Sequence, residues 1–325
     1  MEQLCKLLLR KKKQNNKKRL DYSNLFYDII NVGDKMSEII RLDHLKKYYG
    51  NSRGIEDISL KINKGEIYGF IGPNGAGKST TIRIIMGLIN KTSGNIYING
   101  KELKNNDLNI KKSIGYLPSE INLYSDMTVK QILSYHQTLY DKDCNKRKKE
   151  LVKLLKIDEE KKIEDLSLGN LKKVGIVLAL MHEPEILILD EPTSGLDPIM
   201  QSTFHDILLK EKEKGTTILY SSHILSEVSS ICDKVGFIKD GKIIKEDLIE
   251  NIRKENYTYL KIKSNEINKI KKDLKLKIYK ESDNEIIFIN NLDPNKLLSK
   301  LSKYNIEYLL IEEVPLEDLF INYYK

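Results

Sequence analysis

The segment Gly72-Pro73-Asn74-Gly75-Ala76-Gly77-Lys78-Ser79 limits what this chain can fold into more than any other stretch. It fits the pattern G-x4-G-K-[ST]. It follows the apolar run Ile67-Tyr68-Gly69-Phe70-Ile71 and opens a helical pattern near Lys78. Strand, glycine loop and helix in that order make a phosphate cradle. The glycines let backbone N–H groups curl around phosphate oxygens, and the helix aims the positive end of its dipole at the same anion. Lys78 neutralises β- and γ-phosphate charge. The Ser79 hydroxyl suits Mg²⁺, which prefers octahedral oxygen ligands. Gly72 to Ser79, with Thr80 in the first helical turn, therefore form the expected nucleotide-binding loop. A glycine-rich turn matching by chance would lack the strand before it and the helix after it.

Two further apolar runs end in polar residues. Ile186-Leu187-Ile188-Leu189 ends in Asp190, and Thr217-Ile218-Leu219-Tyr220 ends in Ser221-Ser222-His223. Short apolar runs of this kind suit buried parallel strands of an α/β sheet, where ligands gather at the carboxyl ends. Asp190 is placed to hold Mg²⁺ through water. Glu191, one residue on, orients or deprotonates an attacking water, a contribution worth ~10²–10⁴ in rate. His223 ends its strand as Gly72 and Asp190 follow theirs, which points it at a γ-phosphate. The expected catalytic set is Lys78, Glu191 and His223. Between the loop and Asp190, Val129, Ile132, Leu133, His136 and Leu139-Tyr140, then Leu151, Leu154 and Leu155, keep helical spacing. They predict a helical subdomain inserted over about 121–182. Phe70 and His136 read as core residues.

The 325 residues are long enough for a large core and one small extra domain, and no run approaches ~18–20 consecutive apolar residues. Cys5, Cys144 and Cys232 are scattered, without a CxxC or histidine at ligand spacing, so neither a disulfide framework nor a zinc site is expected. The net charge of +8 raises the question of nucleic acid. Residues 1–35 hold nine Lys/Arg against four Asp/Glu, so five of those eight charges sit in the lead-in. Elsewhere the signs are mixed, and no motif interleaves aromatic with basic residues as RNA-binding modules do. No nucleic-acid partner is expected.

The order of these motifs resembles the ATP-binding-cassette (ABC) ATPase domain of the P-loop NTPases, over roughly residues 36–245. The resemblance implies further residues. Tyr49, just before Gly50, matches the aromatic that stacks on adenine. Leu166-Ser167-Leu168-Gly169-Asn170 matches the signature loop, through which Ser167, Gly169 and Asn170 contact the γ-phosphate of ATP held by a second subunit. Ser194-Gly195-Leu196-Asp197 matches the loop that links the two sites, with Asp197 at its end. Two chains then sandwich two ATP molecules head to tail. The usual family residues at 168 and 170 are Gly and Gln; here they are Leu168 and Asn170. In Gly115-Tyr116-Leu117-Pro118-Ser119-Glu120, Ser119 aligns with the usual Mg²⁺-sensing Gln, and Glu120 is the next polar candidate. These variants, with Leu316-Glu317-Asp318-Leu319-Phe320, resemble ATPase subunits of bacterial antibiotic-peptide exporters of the bacitracin or lantibiotic type. That implies ATP and Mg²⁺ as cofactors, a dimer, a separately encoded transmembrane permease, and a peripheral place on the cytoplasmic face of the membrane.

The rival readings are a soluble family member and a catalytically weak nucleotide-binding module, the latter motivated by Leu168 and opposed by Glu191 and His223. Ribosome-acting members usually join two cassettes in one chain, and this chain has one. Chromosome-acting members insert long coiled coils between phosphate loop and signature, whereas Lys78 to Ser167 spans 89 positions here.

From about 256 to 325 the pattern changes. Strand 257–262, helix 267–274, a hairpin at 277–280 and 285–290, helix 295–303 and strand 307–312 give a βαββαβ order, that of a ferredoxin-like α+β domain. A last helix is expected after Pro315, and a partner or dimer contact is the role the resemblance implies. At the other end, residues 1–35 are polar and basic, a composition that favours disorder. Val32-Gly33-Asp34-Lys35 can be encoded with AGGAG just before the Met36 codon, so an untranslated lead-in is one expectation and a lipid-gripping tail the other.

Overall fold

The computed structural model describes residues 38–104, 107–254, 258–282 and 284–314. The lead-in 1–35 and the helix expected after Pro315 lie outside the described residues.

Side-chain alternation in three short strands sets the architecture. The chain runs through β1 (Glu38–Tyr49), β2 (Ser52–Asn63), β3 (Ile67–Ile71), α1 (Lys78–Ile85), β4 (Ser93–Ile98), β5 (Lys101–Glu102), α2 (Leu108–Lys112) and β6 (Ile114–Leu117). A helical layer follows, with α3 (Val129–Gln137), α4 (Asn145–Leu154) and α5 (Leu168–Leu180). It then returns through β7 (Ile186–Asp190), α6 (Pro198–Glu213), β8 (Thr217–Ser222), α7 (Leu225–Ile231), β9 (Lys234–Lys239), β10 (Lys242–Leu248) and α8 (Ile249–Lys254). Ten strands form one sheet in the order β5-β4-β1-β2-β10-β9-β3-β8-β7-β6. Within it β9, β3, β8, β7 and β6 are mutually parallel.

All residues of β3, β7 and β8 are buried, because helices or strands cover both faces. Alternate residues then feed two separate cores. Ile67, Ile71, Leu187, Leu189, Ile218 and Tyr220 face the helical layer and α6 to α8. Tyr68, Phe70, Ile186, Ile188 and Leu219 face α1 and the antiparallel strands β1, β2 and β4. A one-residue slip in any of these strands would exchange its two cores, so the register is strongly fixed. That register brings the ends of β3, β7 and β8 level, with Ile71 beside Ser222 and Asp190 beside Ser221.

In the helical layer, Val129, Ile132, Leu133, Leu151 and Leu155 are core, as their spacing predicts. Leu139 and Leu154 are exposed. Helix α3 ends at Gln137, which takes Leu139 off its periodic face, and Leu154 is the last residue of α4, whose buried residues include Leu151 and Val152. The start of α3 is fixed by a capping box between Thr128 and Gln131. Ile249 and Ile252 of α8 also join this core.

The last described residues form a four-stranded antiparallel sheet. Its elements are β11 (Thr258–Lys263), α9 (Ile267–Leu274), β12 (Lys277–Ser282), β13 (Glu285–Asn290), α10 (Pro294–Leu301) and β14 (Tyr308–Glu313). The strand order β12-β13-β11-β14 is that of a ferredoxin-like unit. Leu260, Ile262, Ile286 and Phe288 pack against Ile267, Ile270, Leu274, Leu297 and Leu301 in a core of their own.

Candidate nucleotide site

The loop after β3 holds its shape because two glycines supply a backbone that other residues resist. Gly75 has φ +79° and Gly77, the N-cap of α1, has φ +110°. A Cβ on Gly77 would stand 2.7 Å from Ile55 Cγ2 and 3.1 Å from the Gly54 carbonyl oxygen. The loop is therefore wedged between α1 and strand β2. Lys78 turns back into it, donating from Nζ to the carbonyls of Gly72 at 2.7 Å and Pro73 at 3.3 Å. Its side chain is buried, yet its ammonium reaches 3.4 Å from Glu191 Oε1.

Glu191 itself sits at φ +48°, an unusual conformation for a residue with a Cβ. The bend, held by the hydrogen bond from Glu191 N–H to the Ser221 carbonyl at 3.1 Å, lifts its carboxylate out of strand direction. There its Oε2 lies 2.8 Å from His223 Nδ1, so one carboxylate bridges the lysine of the loop and the histidine after β8.

Asp190 is fully buried behind it. Ser221 Oγ donates to its Oδ1 at 3.2 Å, while Oδ2 has no protein partner. A buried carboxylate oxygen left unpaired costs several kcal/mol unless a cation or water completes it. Ser79 lines the nucleotide cleft, whereas Asp190, fully buried, does not. Among the described residues, no group of three His, Cys, Asp or Glu forms a metal cage. One carboxylate plus one hydroxyl is the sparse set that suits Mg²⁺, which keeps its waters and uses substrate phosphates. The residues present fit that ion. Burial and the nearby charge of Asp190 push the Tyr116 hydroxyl up to about 12, which keeps it neutral.

Lys78, Ser79, Glu191 and His223 share one cleft of about 480 Å³. Asn74 to Thr80 form its floor, Tyr49 with Arg53 and Gly54 one wall, and Ser119, Glu120, Glu191, Ser194 and His223 the other. Gly72 and Pro73 lie under the loop as acceptors for Lys78. The ring of Tyr49 is half exposed, with Lys47 Nζ 4.8 Å above its centroid.

Ser167, Gly169, Asn170 and Asp197 do not line the cleft. Ser167 caps α5, its Oγ accepting from the Asn170 N–H at 3.4 Å, and Asp197 caps α6, its Oδ1 accepting from the Met200 N–H at 2.9 Å. The two loops touch each other. A Cβ on Gly169 would lie 2.7 Å from the Gly195 carbonyl oxygen, and Leu168, largely exposed, covers Gly195.

Glu227, which sequence reasoning missed, ties the strand ends together. Its carboxylate accepts from Thr193 Oγ1 at 2.8 Å, Ser222 Oγ at 3.0 Å and the Tyr220 hydroxyl at 3.3 Å. It thus links the loop after Glu191 to the residue before His223. The signal was an acidic residue one helical turn after His223, which reads equally well as first-turn charge for α7.

Residues 55–194 match the family model described as ABC transporter. The bacitracin transport ATP-binding protein BcrA of Bacillus licheniformis is 35% identical over 300 residues, covering 88% of this chain and 97% of that protein. The chain belongs to the ABC transporter family. The lantibiotic transport ATP-binding protein SrtF of Streptococcus pyogenes is 40% identical over 215 residues, 64% of this chain and 90% of that protein. Among solved structures, the dimeric post-hydrolysis state of the ATP-binding cassette MJ0796, bound to ADP and Pi, superposes with TM-score 0.59 at 26% identity. It covers 65% of this chain and 98% of that one. This chain is thus an ABC ATPase. No helix among the described residues is long and apolar enough to cross a membrane.

Proposed function

We propose that this ABC ATPase powers the export of antibiotic-type peptides or related drugs, as a dimer on the cytoplasmic face of the membrane with a separately encoded permease. The observation that carries the reading is the bridged carboxylate of Glu191, 3.4 Å from Lys78 and 2.8 Å from His223 on the wall of the cleft. A base placed between a phosphate-neutralising ammonium and an imidazole suits in-line attack of water on a γ-phosphate. The names of BcrA and SrtF support the exported class, and the MJ0796 dimer supports the two-chain assembly.

In this reading the Tyr49 ring stacks on adenine, and the N–H groups of Asn74 to Thr80 grip the phosphates, with Gly72 and Pro73 supporting the loop from below. Lys78 exchanges its carbonyl partners for β- and γ-phosphate oxygens. Ser79, and Asp190 through water, would hold Mg²⁺, with Ser119 near the same site; the ion, when bound, would neutralise phosphate charge. Glu191 orients water and takes its proton, and His223 touches the γ-phosphate while fixing Glu191. Ser167, Gly169 and Asn170, turned away from their own cleft, meet the ATP of the second copy, and Asp197 carries the contact between sites. ATP binding favours the closed dimer, and product release reopens it.

A mixture experiment tests the two-chain site. Ser167→Arg obstructs the partner's phosphate and Lys78→Ala disables the chain's own loop. Each variant alone is inactive. Their mixture forms dimers with one doubly damaged site and one intact site, and regains part of the activity. Normal hydrolysis by Ser167→Arg alone contradicts the assignment.

A further inference from the structure

Helix α5 carries the signature residues at its first turn and a buried lysine one turn further on. Lys172 is only 2% exposed. Its Nζ donates to the carbonyls of Pro118 at 3.3 Å and Ser119 at 3.2 Å. Those carbonyls belong to the segment after β6 whose Ser119 and Glu120 line the chain's own cleft. Burial lowers the pKa of Lys172, while the charges of Asp190 and Glu191 act the other way and favour its ammonium. Burying an ammonium costs several kcal/mol, so a lysine here is a poor space filler.

A second contact clamps the same two elements. At Gly175, nearly one turn beyond Lys172, a Cβ would stand 2.4 Å from Ile121 Cδ1 and 2.8 Å from Leu117 Cδ1. The glycine lets α5 sit directly on the segment 117–121. Lysine and glycine together leave α5 little freedom to move without that segment. Because Ser167 and Gly169 open the same helix, a rigid element runs from the wall of one nucleotide cleft to the surface that meets the other.

We infer that Lys172 is a positioning residue that ties the signature end of α5 to the Pro118–Glu120 wall, so that occupancy of one nucleotide site is passed to the other. The inference rests on the two-chain reading above. Ligand at one cleft shifts Ser119 and Glu120; through the two carbonyl bonds and the Gly175 contact it shifts Ser167 and Gly169 against the second copy. Coupling of this kind is a free energy shared between two sites through a defined element.

The test compares full-length wild type, Lys172→Met, Lys172→Arg and Gly175→Ala. Three quantities are read: ATP affinity, kcat, and the Hill coefficient of hydrolysis against ATP concentration. Lys172→Met is expected to keep ATP affinity within about threefold, lose kcat at least tenfold and bring the Hill coefficient from near 2 to near 1, since one interaction bears on coupling and not on binding. Lys172→Arg, which keeps a cationic donor, restores a large part of both. Gly175→Ala lowers the Hill coefficient with Lys172 intact, which preserves the test should the methionine variant fail to fold. A wild-type Hill coefficient near 2 that survives Lys172→Met, or Gly175→Ala where the methionine variant does not fold, overturns the inference and leaves the dimer standing. So does a Lys172→Met variant that loses ATP affinity in proportion to kcat. A wild-type coefficient of 1, with Glu191→Gln protein monomeric in ATP, overturns both.

Discussion

Replacing Gly77 by alanine should damage nucleotide binding far more than it damages the fold. Gly77 has φ +110°, a backbone that costs an L-residue roughly 1–2 kcal/mol or more. The new Cβ would also meet Ile55 Cγ2 at 2.7 Å and the Gly54 carbonyl at 3.1 Å, and overpacking of this sort typically costs about 1–3 kcal/mol. The combined strain is about 3 kcal/mol. The loop can shed it by leaving the binding geometry, because Ala76 is its one residue in the adjacent core, which is otherwise built from strands and from the buried face of α1. The binding-competent fraction then falls about a hundredfold, and the apparent Kd for ATP rises by the same factor. Gly65→Ala is the control: its φ is +73°, nothing lies within 4 Å of the added Cβ, and it stands in the β2–β3 turn. That variant should lose about 1 kcal/mol of stability and bind ATP normally. The assay is titration with a fluorescent ATP analogue alongside urea denaturation. Gly77→Ala protein that binds as wild type does would refute the reasoning, as would equal losses of affinity in both variants.

Further outcomes follow from buried polar groups. His182 is 2% exposed and stacked on Tyr140 at 4.1 Å; burial, with neighbouring His136, brings its pKa from the usual 6.5 down to about 4. The unfolded chain therefore takes up a proton that the fold refuses: full stability holds above pH 6.5, and up to about 3 kcal/mol is lost as pH falls from 6.5 towards 4. Urea midpoints at pH 7.5 and 5 should differ less in His182→Gln than in wild type, and an unchanged difference counts against the assignment. Glu227→Ala should lower kcat about tenfold or more, because it frees Thr193 and Ser222 beside Glu191 and His223, while the ATP Kd stays within about twofold. Loss of ATP binding in that variant would show that Glu227 acts on the loop instead.

The parallel strands and the nucleotide loop were legible in the sequence because each rests on a local pattern. Five apolar residues ending in glycine, or four ending in Asp-Glu, can be buried in few ways. The split of those strands into two cores follows from the same alternation. Glu227 and the pair Lys172 with Gly175 were not legible, because Thr193, which Glu227 ties to the nearby Tyr220 and Ser222, lies 34 positions away, the partners of Lys172 lie about 54 away, and their own neighbours look ordinary. Leu139 and Leu154 kept helical spacing yet are exposed, since periodicity does not reveal where a helix stops or which flank the sheet covers. The side chains of Ser167 and Asp197 resolve into helix caps, a local role that capping statistics alone would assign.

In the proposed function, Glu191 handles the attacking water while Lys78, Ser79 and Asp190 hold nucleotide and metal. Steady-state hydrolysis of Mg²⁺-ATP by purified wild-type and Glu191→Gln protein, with ATP binding measured on the same samples, tests it most directly. The substituted protein should bind ATP about as tightly as wild type, elute as an ATP-bound dimer, and turn over ~10²–10⁴ times more slowly. Hydrolysis by Glu191→Gln at the wild-type rate would contradict the account.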